Sequence, residues 1–148
     1  MKGLTQLKSK PFLLFLISTS LFVVGYVLAS VNIISVTAHN PGNQTIGEPF
    51  NVYATTKWEF LIKGVHTVWV KVKHEVGGVS DWCNKPVEVG AGPTPGWRKI
   101  ETGTSAQFNI TSAGTYYHKA TSYLYDEDDH SSDGPESNTS SSFQVSDP

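Results

Sequence analysis

The sequence predicts an all-β protein: one antiparallel sandwich of about seven short strands, preceded by a single apolar helix. Three observations carry that expectation. Past residue 30 the apolar side chains alternate with period two, and no stretch shows helical spacing. Clusters of Gly, Pro and Asn interrupt the alternation at fairly even intervals. No segment can serve as the helical crossover that parallel strands require.

The elements follow in order. MKGLTQLKSKP carries Lys2, Lys8 and Lys10 and no acid, and residues 12–29 are an uncharged apolar run. The next basic residue is Lys57, so positive charge on one side only should keep the N-terminus cytoplasmic and send the rest outward. A run of about eighteen residues lies between a signal-peptide core and a spanning helix. Val27 and Ala29 stand where signal peptidase needs small or short side chains, whereas the length of the run suits a retained anchor. Both fates stand: a single-pass anchor over 1–29, or secretion after cleavage behind Ala29. Either way residues 30–148 lie outside the cell as one domain.

VNIISVTA is β-branched and stops at HNPGN. In GEPFNVYATT, Phe50, Val52 and Ala54 share one face; in HTVWVKVK, Val68, Val70 and Val72 do, and Gly77-Gly78 ends the strand. KPVEVG is a shorter strand, and GAGPTPGW is a loop because proline is excluded from central strands. SAQFNI points Phe108 and Ile110 inward, AGTYYHKATSYLY is the longest strand, and SSFQV ends the domain with Phe143 and Val145 on one face.

TSAGTYYHKA resembles the turn into the sixth strand of immunoglobulin-superfamily domains. There a small residue precedes a corner tyrosine by two and a cysteine follows it by two; Gly114 and Tyr116 match, and His118 stands in the cysteine's place. WVKVKHEVGG followed by DW, and GTYYHKA followed by GPES, are similar to fibronectin type III modules. The resemblance implies an immunoglobulin-like β-sandwich over 30–148, a tyrosine hydroxyl tied to nearby backbone, and a core tryptophan at the place of Trp69. Trp69 alternates with the lysines, however, and not with the valines. A fold is implied, not an activity.

Composition removes several classes of function. The formal charge of −2 gives no basic footprint for nucleic acid. The single cysteine, Cys83, rules out a disulfide within the chain, so the core must hold the domain together. It also lacks the histidines and axial methionine of a copper site nearby. No nucleophile elbow or base-bearing motif is present, and no enzymatic role and no cofactor is expected.

Three sets of residues remain as candidate sites. Asp126, Asp128, Asp129 and Asp133 crowd the segment before the last strand. This is either a solvated loop or a weak calcium site, since calcium takes several converging oxygens. The EF-hand pattern fails, with Ser131 at its glycine position and Ser137 at its glutamate. Strand parity puts Trp69, Tyr117, Tyr123 and Tyr125 on one outer sheet face, interleaved with Lys71, Lys73 and Lys119, which is the composition of a binding surface. Asn43, Asn109 and Asn138 begin N-glycosylation acceptor triplets.

The expectation is therefore an extracellular, anchored or secreted module with a binding, adhesive or structural role in a cell-surface assembly. It would contact protein or glycan and meet the membrane through its N-terminal segment. A cation- or ligand-binding accessory subunit beside a membrane enzyme or transporter is the alternative.

Overall fold

The computed structural model describes residues 31–61, 64–90 and 96–148, and its regular structure is strand throughout. The strands are β1 (Val31–Ala38), β2 (Gln44–Thr45), β3 (Pro49–Phe60), β4 (Val65–Val76), β5 (Val79–Gly90), β6 (Arg98–Asn109), β7 (Gly114–Tyr116), β8 (His118–Asp126), β9 (Ser132–Thr139) and β10 (Phe143–Ser146). One sheet has the order β1-β3-β6, and the facing sheet has the order β5-β4-β8-β9. A third small sheet, β2-β10-β7, prolongs the second, because only Tyr117 separates β7 from β8 and the Ser140 amide donates to the His118 carbonyl beside it. The architecture is an immunoglobulin-like sandwich, three strands against four. The apolar segment 1–30 lies outside the described residues, and among those described no helix is long and apolar enough to cross a membrane.

Side-chain alternation builds the core as the sequence predicts. Phe50, Val52 and Ala54 of β3 and Val68, Val70 and Val72 of β4 are buried, with Phe108, Ile110, Phe143 and Val145. β4 and β5 form one hairpin whose two turn residues, Gly77 and Gly78, both have positive φ, the requirement of the tight turns that match strand twist. Tyr116 makes the expected corner: its hydroxyl donates to the Ser112 carbonyl at 3.0 Å while its ring packs on Phe143.

The structure departs from the sequence reading in several places. AGTYYHKATSYLY is not the longest strand: it is divided at Tyr117 into β7 and β8, whereas β3, β4, β5 and β6 each run twelve residues. The buried tryptophan is Trp58, because β3 runs on to Phe60; its indole N–H donates to the Thr102 hydroxyl at 3.0 Å. Trp69 is instead on the outer face. β5 begins at Val79, ahead of KPVEVG, since the glycine turn lets it pair with β4 along its whole length. Residues 132–139 form strand β9 although few are apolar, because β8 offers them a hydrogen-bonding edge.

The core consists of two apolar clusters. Val72, Ala54 and Ala120 belong to one, and Val76, Val52 and Ala106 to the other. Between them in sequence, on β4, β8 and β6, sit His74, His118 and Thr104, all buried.

Candidate functional site

The outer face of the four-stranded sheet is laid out by register. Successive rungs across β5, β4 and β8 are Pro86–Trp69–Tyr125, Asn84–Lys71–Tyr123 and Trp82–Lys73–Thr121. Trp69, Tyr123 and Tyr125 are half-buried, and Trp82 is 51% exposed. Polar partners hold several rings in place. The Trp69 indole N–H donates to Glu127 Oε2 at 2.8 Å, and the Tyr125 hydroxyl and His130 Nδ1 lie 3.0 Å apart. Lys71 Nζ stands 5.6 Å from the Tyr125 ring centre, and the Trp82 and Tyr123 rings are 5.8 Å apart. Trp69, Lys71, Asn84, Tyr125 and Glu127 enclose a shallow groove of about 340 Å³.

Of the four aromatic residues singled out from sequence, Trp69, Tyr123 and Tyr125 share this region. Tyr117 is 54% exposed but lies six residues before Tyr123, about 20 Å away by strand rise, beside Glu75 and Lys119. Trp82 was not among the four. Extending the alternation of PVEV backwards past Lys85 and Cys83 places Trp82 on the outer face, so the signal was present. Cys83, of opposite parity, is a partly exposed thiol on the edge strand β5.

The acidic segment divides. Asp126 is fully buried at the end of β8; its Oδ1 accepts the amides of Asp128 at 2.9 Å and Asp129 at 3.3 Å, and its Oδ2 lies 2.9 Å from His66 Nδ1. Asp128 Oδ2 accepts the Thr67 amide at 2.9 Å. Asp129 Oδ1 accepts the Ser131 amide, and Asp133 Oδ2 accepts the Ile33 amide of β1 at 2.6 Å. Asp126 and Asp128 thus converge with His66, a residue the sequence reading did not attach to them, while Asp129 and Asp133 stand outside that group.

The buried histidines form a chain whose protons can be assigned. His118 Nδ1 faces the His39 carbonyl at 3.1 Å, so it must donate, and in the neutral ring its Nε2 then accepts from His74 Nδ1 at 3.0 Å. His74 Nε2 accepts from the Thr104 hydroxyl at 3.1 Å. The pKa of His74 is lowered from 6.5 to about 4, by burial first and by the neighbouring His118 second, with Asp81 opposing. Burial likewise lowers that of His118.

The three acceptor asparagines are exposed and each makes a hydrogen bond. Asn43 Oδ1 accepts the Gln144 amide, Asn138 Oδ1 accepts the Ala38 amide, and Asn109 Nδ2, the atom a glycan would occupy, donates to the Gly47 carbonyl.

No protein-family model and no curated protein matches this chain. Among solved structures it is similar to the CARDB domain of the PF1109 protein from Pyrococcus furiosus, crystallised in complex with di-metal ions. The two share 18% identity and a TM-score of 0.51, covering 82% of this chain and 99% of that one. A solution structure of the CARDB domain of the same protein gives 17% identity and a TM-score of 0.49, over 80% and 98% of the two chains. At such identity the likeness concerns fold alone. Strand order, corner and the first of these likenesses agree: the described residues form a small immunoglobulin-like β-sandwich.

Proposed function

We propose that the chain is a non-catalytic binding module displayed outside the cell, anchored by its N-terminal segment or released behind Ala29, that engages a glycan through the outer face of its four-stranded sheet. The observation that carries this reading is the array of rings on this face: half-buried Trp69 held by Glu127, half-buried Tyr125 held by His130 and Lys71, and the exposed Trp82 packed on Tyr123. A sugar ring offers C–H groups on its face and hydroxyls at its rim. Indole and phenol faces suit the first, and Asn84, Lys71 and Glu127 around the groove suit the second. Rings already fixed lose little entropy on binding, which favours a recognition surface over an accidental apolar patch.

The test is a glycan array probed with the full chain and with Trp82→Ala, Tyr123→Ala and their combination. These side chains lie on the outer face, so the melting temperature should change little. Binding to the preferred glycan should weaken about tenfold or more in the double variant. An array on which the parent binds no glycan, or on which the double variant binds as well as the parent, overturns the reading. A purified protein partner whose binding depends on the same two rings would assign the face to protein docking instead.

A further inference from the structure

The turn between β8 and β9 meets the start of β4, and there we propose a site for one divalent transition-metal ion, of the zinc or manganese class, formed by His66, Asp126 and Asp128. One donor atom from each of the three lies within 4.8 Å of the others. An ion bonded at about 2.0–2.2 Å could draw such donors into one coordination shell with small movements. The imidazole is the telling member, because it comes from another strand, sixty residues away from Asp126 in sequence. Crowded acids in a loop are ordinary; an imidazole nitrogen brought to them by strand pairing is a separate event.

The carboxylates are also preset. Asp126 is 0% exposed and its Oδ1 is occupied by two backbone amides, which turns Oδ2 toward His66. Asp128 is tethered through Oδ2 to the Thr67 amide, one residue after His66, and has its second oxygen to offer. Ligands held from behind by backbone donors are the usual support of a metal site. The two carboxylates carry the charge a divalent ion would cancel. The nitrogen donor sets the selectivity, since calcium takes oxygen ligands whereas imidazole with carboxylate suits zinc, manganese, cobalt and nickel. Open positions would be left to water or to a ligand. Glu127, between the two acids, accepts the Trp69 indole, so a bound ion would stiffen the turn that holds one wall of the aromatic groove.

The experiment uses the full chain, without a histidine tag, purified in detergent and titrated with Zn²⁺, Mn²⁺ or Ca²⁺ alone by calorimetry. One Zn²⁺ or Mn²⁺ should bind per chain, with Ca²⁺ weaker by about tenfold or more. His66→Gln and Asp128→Asn should each raise Kd by about tenfold or more, while Asp129→Asn should leave it unchanged. Mn²⁺ should also broaden the amide resonances of Thr67 and Asp129 in the parent protein, a readout that needs no variant to fold. Absence of binding at millimolar metal overturns the proposal. So does binding that survives both ligand substitutions, broadening centred elsewhere, or a calcium preference that depends on Asp129. Trp82 and Tyr123 supply no donor to this site, so its failure and that of the glycan reading are told apart.

Discussion

At the scale of single residues, the least expected feature is the buried chain from Thr104 through His74 and His118 to the His39 carbonyl. As assigned, every nitrogen has a partner, and the arrangement holds only while both rings are neutral. Protonating His118 Nε2 would set it against the His74 donor. The folded pKa of His74 is lowered, from 6.5 to about 4, and that of His118 is lowered too, by burial first in each case. Below pH 6.5 the unfolded chain therefore binds protons that the folded chain refuses. The His74 contribution is complete above pH 6.5 and is lost between 6.5 and about 4, at about 1.4 kcal/mol per pH unit, and His118 acts in the same direction. Urea melts across that range should show the slope, and His74→Leu with His118→Leu should flatten it relative to the parent. His74→Leu alone should cost about 1–3 kcal/mol at pH 7.5, because it leaves His118 Nε2 buried without a donor. A parent whose stability is level from pH 7 to 5 would contradict the assignment.

At the scale of elements, β9 shows what pattern reading can and cannot reach. Its sequence, SDGPESNT, has no apolar face, and its strand state comes from β8 and from its reach across to β1. Asp133 Oδ2 accepts the Ile33 amide and Asn138 Oδ1 accepts the Ala38 amide, so two β9 side chains occupy donors on the free edge of β1 and close that side of the sandwich. Asp133→Ala should therefore cost about 1–2 kcal/mol in denaturant melts, independent of any cation, by leaving a part-buried amide unpaired. An unchanged midpoint would return Asp133 to the surface. Strands with an apolar face, such as the one bearing Phe50, Val52 and Ala54, were legible because burial and alternation are the same fact. The outer aromatic face was legible through that parity, and Trp82 would have been with two more steps of it. His66 was not, because its partner lies on another strand and only register joins them. Trp58 was missed for a simpler reason: KWEF looks too charged to continue a strand, yet Lys57 and Glu59 point outward while Trp58 and Phe60 point in.

For the whole molecule, the two sides of the sandwich are closed differently. On the β1–β9 side, side chains span the sheets. On the other side β5 and β6 both end their sheets, and the Lys85 ammonium donating to the Gly103 carbonyl at 3.2 Å is a bond between them. β5 is thus a twelve-residue edge with Val79 and Trp82 exposed along it, the kind of edge on which a second chain could pair. Two of its residues oppose that. Pro86 pairs across from Trp69 and lacks an amide, so the free edge is short of a donor at that rung. Lys85 adds a charge beside it. Lysines on the central strand β4 cannot guard this edge, so the protection rests locally on these two. Pro86→Thr with Lys85→Thr restores a continuous row of donors and removes the charge, at positions where threonine favours the strand. Sedimentation of the full chain in detergent should then show association rising with concentration beyond that of the parent. Equal association in the two would mean that twist or the neighbouring β6, and not Pro86 and Lys85, keeps the edge closed.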